Sequence, residues 1–431
     1  MTEQRDVSIR VPVLARVEGE GALELDIKNG AIEALKLRIY EPPRLFEKFL
    51  EGRSYTEVVD AVARICGICP VAYQMSAVHA LESIFRCDPG PWVHEMRRLL
   101  YCGEWIQSHA LHIHLLAAPD FLGFGNVTEL ATAHPEAVRR GLRLQGLGND
   151  IVRLLGARSV HPVGVKVGGF YHAPAQADAA ALLEKLNQAL ADAEALVQWA
   201  AGLTLADDEQ RFTAVALRHD SEYPMNQGRL ISGQGLDADI AAFDDYFTEQ
   251  HVAHSTALHC HLQGKAYLVG PLARVNLNFD RLPVLVRTAL LDTGIEWPSA
   301  NMFHSVVARA AEIYYAFLEA IRILEHYTPE SPCVAVQPRA GVGYGCSEAP
   351  RGVLWHRYET NQQGDVVSAR IVPPTSQNQA RIEEDLHASL QRFGLQRSDA
   401  ELRLRAETVI RNYDPCISCS THFLDLRVHR G

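Results

Sequence analysis

Two Cys-x-x-Cys pairs constrain this chain more than any other feature of its sequence. Cys66 and Cys69 lie in the stretch ARICGICPVAY, and Cys416 and Cys419 lie 350 residues later in DPCISCSTH. Residues i and i+3 of a tight turn face the same side, so each pair can offer two thiolates to one metal ion. The first question for the fold is therefore what kind of site needs both pairs.

The spacing of the pairs leaves the identity of such a site open. Four thiolates can hold a structural zinc ion, although zinc ribbons usually separate their two pairs by roughly 15–20 residues. Four thiolates can equally hold a structural iron–sulfur cluster. The remaining cysteines have no paired spacing and are expected to be small core residues: Cys87, Cys102, Cys260, Cys333 and Cys346.

Composition indicates a globular chain without a nucleic-acid surface. Of its 431 residues 47% are hydrophobic, and 52 acidic against 41 basic residues give a net charge of −11. A nucleic-acid surface would need clustered excess cation. No run of about 18 uncharged apolar residues is present to span a membrane, and the first residues lack a secretory signal. We therefore expect a reduced, cytoplasmic chain whose paired cysteines bind metal rather than form disulfides.

The hydrophobic pattern predicts a mainly α fold with peripheral antiparallel β-structure (α+β), as one domain over residues 1–431. Alternation over residues 7–41, with Asn29-Gly30 at the turn, predicts a β-hairpin. Further hairpins are expected over 333–373. Ser54 is a candidate helix cap, and Pro70 suits the first position of the next helix. Helical stretches are predicted at 54–65, 70–85, 93–117, 135–157, 176–203, 298–327, 376–393 and 399–412.

Six short stretches, spread in order over nearly the whole chain, carry a resemblance to a known family. They are RVEGE (16–20), RICGIC (64–69), HPVGVKVGG (161–169), YLVGPLARVN (267–276), EAPRG (348–352) and DPCISCSTH (414–422). Together they resemble the large subunit of the nickel–iron hydrogenases, most closely the soluble, NAD(P)-linked branch. The resemblance implies that family's large-subunit fold and the reversible cleavage of H2 to protons and electrons.

The resemblance implies a metal role for all four paired cysteines. Cys66 and Cys416 would be terminal ligands of nickel. Cys69 and Cys419 would bridge nickel to an iron that carries one carbon monoxide and two cyanides. Soft thiolates suit both metals. The residues expected to line the pocket of this centre are Pro350, Arg351, Pro374 and Thr375, with the Thr375 hydroxyl as a donor to cyanide.

The same resemblance implies the residues that handle protons. H2 has no charge, so metals must polarise it as Lewis acids while a base takes the proton. The two candidate bases are the thiolate of Cys416 and the guanidine of Arg351, which Asp414 would hold by a charge-assisted hydrogen bond. Glu18 would carry the proton away from the terminal thiolate.

A magnesium site, a removable tail and several partners are also implied. Glu47 would bind Mg2+ together with His422 and water, and a maturation endopeptidase would remove residues 423–431. Beyond these two pairs, the chain has no paired cysteines that could hold an iron–sulfur relay for electrons. Electrons would therefore leave through an iron–sulfur small subunit to flavin- and NAD(P)-binding diaphorase subunits, or to another soluble carrier.

Two positions depart from the family pattern. Tyr73 stands where many relatives have a histidine that is hydrogen-bonded to the bridging sulfur; either its hydroxyl takes the place of that histidine or the bond is absent. Ser108 stands where many have aspartate, so the contacts of Arg351 are expected to be fewer. Other histidines are expected to be buried or loop residues rather than metal ligands: His109, His112, His114 and those of HVAHSTALHCH (251–261).

Two other classes of protein share some of these features. A non-catalytic homologue, such as the quinone-module subunit of respiratory complex I, has the same fold but lacks the four cysteines that are present here. A zinc-stapled scaffold or assembly protein would use the cysteines without nickel. Metal analysis distinguishes the three classes, because only the hydrogenase would contain nickel and iron in near-equal amounts.

Overall fold

Helices are the predominant regular structure of the molecule, a computed structural model that describes residues 6–421. None of the helices in this range combines the length and the apolar character needed to cross a lipid bilayer. The helices are α1 (Phe46–Leu50), α2 (Tyr55–Val62), α3 (Pro70–Phe85), α4 (Pro91–Leu111), α5 (Ala118–Leu122), α6 (Val127–Ala133), α7 (Pro135–Gly156), α8 (Gln176–Ala201), α9 (Phe243–Tyr246), α10 (Pro271–Asn278), α11 (Val284–Leu291), α12 (Ser305–Glu325), α13 (Pro374–Phe393) and α14 (Asp399–Asn412).

The strands pair into small antiparallel sheets, in the orders β1-β2-β3, β4-β5, β6-β7-β8, β9-β10 and β11-β12-β13. The mainly helical fold with antiparallel β-structure is as predicted. The strands are β1 (Val7–Val11), β2 (Gly21–Lys28), β3 (Ala31–Ile39), β4 (Val165–Lys166), β5 (Gly169–Phe170), β6 (Val215–Arg218), β7 (Arg229–Ser232), β8 (Asp237–Ala238), β9 (Phe247–Gln250), β10 (His259–Leu262), β11 (Gly341–Ala349), β12 (Gly352–Thr360) and β13 (Val366–Val372).

Local sequence signals determine several element ends. Asn29 and Gly30, at φ values of 51° and 75°, form the two-residue turn between β2 and β3. The Ser54 side chain caps α2 by accepting the N–H of Thr56. Pro70 is the first residue of α3, where its missing N–H costs nothing. These three predictions are confirmed.

Two predicted helices end or begin elsewhere, and one region was not predicted. The stretch expected to be one helix over 93–117 is α-helical as far as Leu111. A wider π-helical turn follows over His112–Ala117. The helix expected from 298 begins at Ser305, because a short 3-10 turn capped by Asn301 precedes it. Short strands and helices fill residues 204–297, where the periodicity is too brief to show them.

Glycines allow the β11–β12 hairpin to lie directly on helix α3. A Cβ atom at Gly345 would lie 1.9 Å from the Ser76 carbonyl oxygen, and one at Gly343 would lie 2.3 Å from the Ala80 carbonyl oxygen. A hydrogen bond of 2.7 Å between the hydroxyls of Ser76 and Ser347 joins the two elements. The hairpin is therefore held against the helix whose first turn follows the first cysteine pair.

Candidate metal centre

The two cysteine pairs meet in one buried group. Sγ of Cys416 lies 3.2 Å from Sγ of Cys66 and 2.9 Å from Sγ of Cys419, and Cys69 and Cys419 are 3.6 Å apart. All four sulfur atoms lie within 4.8 Å of one another, and all four cysteines are free thiols. The arrangement offers four soft ligands converging on one point.

The first pair is positioned by the start of α3. The backbone N–H groups of Ile68 and Cys69 donate to Cys66 Sγ at 3.3 and 3.4 Å. The buried carboxylate of Glu104 accepts the N–H groups of Val71 and Ala72, at 2.6 and 3.0 Å. N–H groups in the first turn of a helix have no carbonyl partner within that helix, so Glu104 supplies the acceptor. No sequence motif predicts this role of Glu104, because its partners are backbone groups.

The second pair is positioned by its own short turn and by the start of α13. Asp414, at φ 55°, reverses the chain after α14, a conformation that aspartate tolerates better than most residues. The N–H of Cys416 donates to the Thr375 hydroxyl at 3.1 Å. Cys419 follows in a 3-10 turn over Ile417–Ser420. Pro374, the first residue of α13, is buried.

The protonation of the four thiols reflects their crowding. Burial raises the pKa of Cys416 and of Cys419 above the usual value of a thiol. Hydrogen bonds from the other cysteines, Cys416 first, lower the pKa of Cys66. Four negative charges therefore do not accumulate in this buried space without a cation. A metal that replaces the protons fits this donor set, because thiolates, not thiols, bind metals.

A two-residue turn carries Arg351 into the interior. Ala349 pairs with Gly352, so Pro350 and Arg351 are the loop residues between β11 and β12. A Cβ atom at Gly352, whose φ is 129°, would lie 2.7 Å from the backbone nitrogen of Gly270. Arg351 is 3% exposed. The inward-facing turn is as predicted from the flanking proline and glycine.

The guanidinium of Arg351 is held by Asp414. Its Nε donates to the Asp414 carbonyl oxygen at 2.7 Å, and its Nη2 donates to Asp414 Oδ1 at 3.0 Å. Burial acts to lower the pKa of Arg351, but the charges of Asp414 and the cysteines raise it well above its ordinary value. Nη1 is buried and has no hydrogen-bond partner within residues 6–421. A polar ligand beside the sulfur atoms would satisfy that donor.

A second buried arginine supports the turn. Arg274, on α10, donates from Nη1 to the Ala349 carbonyl at 2.7 Å and from Nη2 to the Pro350 carbonyl at 3.1 Å. Its charge is paired with Glu312 at 2.7 Å and Glu348 at 3.0 Å, and all three side chains are fully buried. The stretch YLVGPLARVN pointed to this segment without indicating what the arginine does.

Glu18 contacts the second cysteine pair. Its Oε2 lies 3.1 Å from Cys416 Sγ and accepts the N–H of Ser418 at 3.1 Å. The Glu18 carbonyl accepts the N–H of Ile417 at 3.0 Å, in a short parallel bridge. The carboxylate is half-buried, whereas Cys416 is buried. Backbone contacts thus hold one carboxylate oxygen against one sulfur.

The two departures from the family pattern have visible effects. Burial, and then the charges of Cys419 and Cys69, raise the pKa of Tyr73 well above its usual value. Its hydroxyl nevertheless makes no hydrogen bond to any described residue. The same holds for the buried hydroxyl of Ser108, and Arg351 binds Asp414 without it. Among the described residues, Asp414 is thus the hydrogen-bond partner of the Arg351 guanidinium, and Ser108 adds no contact to it.

The predicted magnesium site is only partly described. Burial raises the pKa of Glu47 to about 8, and its Oε1 accepts the N–H of Ile371 at 2.7 Å. In the described part of the chain, Glu47 belongs to no group of three candidate ligands. Its predicted partner His422 and the predicted extension 423–431 lie outside the described residues.

The histidines of α4 and its extension have structural partners, as expected. His109 Nε2 lies 2.9 Å from Glu312, His112 Nε2 lies 2.8 Å from the Arg411 carbonyl, and His114 Nδ1 lies 3.0 Å from the Ala110 carbonyl. None belongs to a candidate metal group within residues 6–421. The unpaired cysteines are buried (Cys102, Cys260, Cys346) or half-buried (Cys87, Cys333).

Comparison with known proteins places this fold and site in one family. The family described as nickel-dependent hydrogenase matches residues 44–140 and 255–422. Sulfhydrogenase 2 subunit alpha of Pyrococcus furiosus is 31% identical over 97% of this chain and 100% of its own length. NAD-reducing hydrogenase HoxS subunit beta of Cupriavidus necator is 28% identical over 95% of this chain and 94% of its own.

Solved structures agree with the sequence comparisons. The crystal structure of an NAD+-reducing NiFe hydrogenase in the H2-reduced state aligns with a TM-score of 0.85 at 25% identity, covering 96% of this chain and 99% of that one. The fold and its four-cysteine site therefore define a hydrogenase large subunit. The chain belongs to the nickel-dependent hydrogenase family and is an oxidoreductase that acts on H2.

Proposed function

We propose that this chain is the catalytic subunit of a cytoplasmic, NAD(P)-linked nickel–iron hydrogenase, in which Cys416 and Glu18 move the proton released from H2. The observation that carries the proposal is the contact of 3.1 Å between Cys416 Sγ and Glu18 Oε2. In this contact a thiol of the candidate metal group is hydrogen-bonded directly to the carboxylate of a half-buried residue.

The four cysteines would hold the metals, with Cys66 and Cys416 as terminal nickel ligands and Cys69 and Cys419 as bridges to iron. Their converging sulfur atoms are the donors that these metals prefer. A nickel–iron centre with carbon monoxide and cyanide ligands, when bound, supplies the Lewis acidity that polarises H2 and takes up its two electrons. Pro350, Arg351, Pro374 and Thr375 would surround its cyanides.

Cys416 is the better placed of the two candidate bases. Its Sγ can take a proton and pass it to Glu18 Oε2 along one existing hydrogen bond. The N–H of Ser418 holds that carboxylate oxygen in place. Arg351, with Asp414 behind it, would act as a fixed positive charge that stabilises negative charge at the centre. Proton release then needs no movement of the backbone.

Electrons would leave through an iron–sulfur small subunit and continue to flavin- and NAD(P)-binding diaphorase subunits. In residues 6–421 no cysteine outside the four belongs to a group of three or more candidate ligands, so a relay within this range has no ligands. The NAD-reducing relatives support NAD(P) as the acceptor. The names of the sulfhydrogenase relatives do not specify NAD(P), so a different soluble acceptor is the second candidate. H2 oxidation by the purified complex with NAD+, NADP+ and a viologen dye distinguishes these acceptors.

Maturation would complete the site. We include in the proposal that Glu47 and His422 bind Mg2+ and that an endopeptidase removes residues 423–431 after nickel insertion. Burial favours the protonated form of Glu47, so Mg2+ would displace that proton when it binds. The intact mass of the active subunit tests removal of the tail: an active chain that retains residues 423–431 contradicts it.

The variant Glu18→Gln tests the proton route. An amide keeps the shape of the side chain but cannot accept the proton as a carboxylate does, so we expect H2 oxidation to fall about 10²- to 10⁴-fold. Nickel and iron content should not change, because Glu18 is not a proposed ligand. Activity is measured as H2-dependent dye reduction, with metals determined in the same sample.

Glu20→Gln is the matched control, since Glu20 is an exposed carboxylate two residues away. It should keep normal activity. Near-normal turnover in Glu18→Gln would refute the route through Glu18, and loss of nickel in that variant would assign Glu18 a structural role instead.

A further inference from the structure

A second group of candidate metal ligands lies away from the four cysteines. It consists of His254, His259 and Glu383, whose ligand atoms all lie within 4.8 Å of one another. His254 Nε2 is 2.8 Å from Glu383 Oε1. The group draws on the loop after β9, the first residue of β10, and α13. The histidine-rich stretch alone did not reveal it, because Glu383 lies 129 residues after His254.

His259 is the member that an ordinary ion pair does not explain. It is 4% exposed, and its Nε2 is buried without a hydrogen-bond partner among the described residues. Buried polar atoms are nearly always satisfied, so this unpartnered nitrogen needs an explanation, and its ring belongs to a group with another imidazole and a carboxylate. A metal ion bound by the lone pair of that nitrogen supplies one.

The carboxylate is already held in place. Glu383 Oε1 accepts the backbone N–H of Leu37, on β3, at 2.8 Å in addition to its contact with His254. Metal sites commonly have such outer contacts, which orient the ligands before the ion binds. The ring planes of His254 and His259 are nearly perpendicular, at 87°, and the ring centroids are 5.7 Å apart. The three side chains are thus brought together by three separate elements.

The chemistry of the three ligands selects the metal. Two imidazoles and one carboxylate are typical of zinc, whereas Mg2+ and Ca2+ prefer oxygen ligands. Zinc–nitrogen and zinc–oxygen bonds of about 2.0–2.2 Å require only a small widening of the contact between His254 and Glu383. The side chains of His254 and Glu383 are 22% and 20% exposed, which leaves access for a water molecule as fourth ligand.

We propose that His254, His259 and Glu383 bind one Zn2+ ion that ties the 251–258 loop and β10 to α13. This site is separate from the cysteine group. Glu383 lies eight residues beyond Thr375, which is roughly 12 Å along the helix axis at 1.5 Å per residue. The ion would therefore stabilise the helix that supports Thr375 without taking part in H2 chemistry.

Zinc content of four versions of the complete enzyme tests the proposal. Wild type, His254→Ala, Glu383→Gln and the control His251→Ala are incubated with Zn2+ and dialysed, and zinc, nickel and iron are measured per chain. His251 is an exposed histidine in the same segment and outside the group. We expect wild type and His251→Ala to retain one zinc ion more than the other two variants, with equal nickel and iron in all four.

Thermal unfolding gives a second measurement. Added Zn2+ should raise the midpoint of wild type and of His251→Ala, but not that of His254→Ala or Glu383→Gln, because a ligand stabilises only the state that binds it. Both altered side chains are partly exposed, so these variants should fold. Equal zinc content in all four proteins would overturn the proposal, as would an equal loss in His251→Ala. Failure here would leave the nickel–iron assignment untouched, since nickel and iron are counted separately.

Discussion

Arg351 shows how a side chain at the centre acquires its properties from its partners. A lone arginine in a loop is usually exposed, yet this one is buried. Its guanidinium donates to both the carbonyl oxygen and the carboxylate of Asp414. The flat guanidinium can bind a carbonyl and a carboxylate at once, in a fixed direction. Its remaining nitrogen, Nη1, is left without a described partner.

Arg351→Lys should therefore fold and bind metal but turn over at least about 100-fold more slowly. A lysine ammonium keeps the positive charge but cannot reproduce the geometry of the guanidinium, and misplaced electrostatic stabilisation costs about 10²–10³ in rate. H2 oxidation with nickel and iron quantified in the same sample measures the effect. Arg357→Lys, a half-buried arginine on β12, is the control and should stay active. Retention of most activity by Arg351→Lys would make Arg351 a structural ion pair.

At the scale of elements, the β11–β12 turn depends on one glycine. Gly352→Ala would place a Cβ atom 2.6 Å from Val269 Cγ2 at a φ of 129°. Backbone strain of about 1–3 kcal/mol and overpacking of similar size should both reduce the free energy of unfolding. Urea unfolding measures this loss, and we also expect H2 turnover to fall at least tenfold because the turn carries Arg351.

Gly394→Ala separates the two causes. Gly394 has φ 101° but no atom within 4 Å of its ideal Cβ position, so only backbone strain should appear. We expect a smaller loss of stability and unchanged turnover. If the two alanine variants lose equal stability, close packing against Val269 is not what requires glycine at position 352.

Sequence patterns predicted elements where a local signal marks them. Pro70 and the Asn29-Gly30 turn are such signals, and both were correct. The resemblance also predicted that residues far apart in the sequence share one site, including Glu18 and Cys416. It did not indicate the roles of Arg274 and Glu104, whose contacts include backbone carbonyl and N–H groups that no residue pattern encodes. The His254–Glu383 contact was missed for a related reason: a pair 129 residues apart leaves no local pattern.

At the scale of the whole molecule, buried histidines predict sensitivity to acid. Burial is the main cause that lowers their pKa from 6.5, to about 3 for His79 and His112 and to about 4 for His109 and His114. Below pH 6.5 the unfolded chain therefore takes up protons that the folded chain does not. Stability should fall from about pH 6.5 towards pH 4, with each histidine contributing up to about 1.4 kcal/mol per pH unit.

His79→Gln should reduce the slope of the free energy of unfolding against pH, by up to the contribution of one bound proton. Urea unfolding across pH 4 to pH 7 gives the slope directly. His326→Gln, at an exposed histidine, is the control and should leave the slope unchanged. Loss of thiolate-bound metal in acid is common to both variants and cancels in the comparison. Identical slopes for His79→Gln and wild type would show that His79 does not stay neutral in the folded chain.

The separation of the two cysteine pairs also has a consequence for biosynthesis. Cys416 is added to the growing polypeptide 350 residues after Cys66, which at about 5–20 residues per second is a delay of roughly 20 to 70 s. During that interval the ribosome has produced one Cys-x-x-Cys pair without the other. Half of the proposed ligand set is then present as thiols that can bind zinc or oxidise. A metal that all four cysteines hold can therefore be fully coordinated only after translation delivers the second pair.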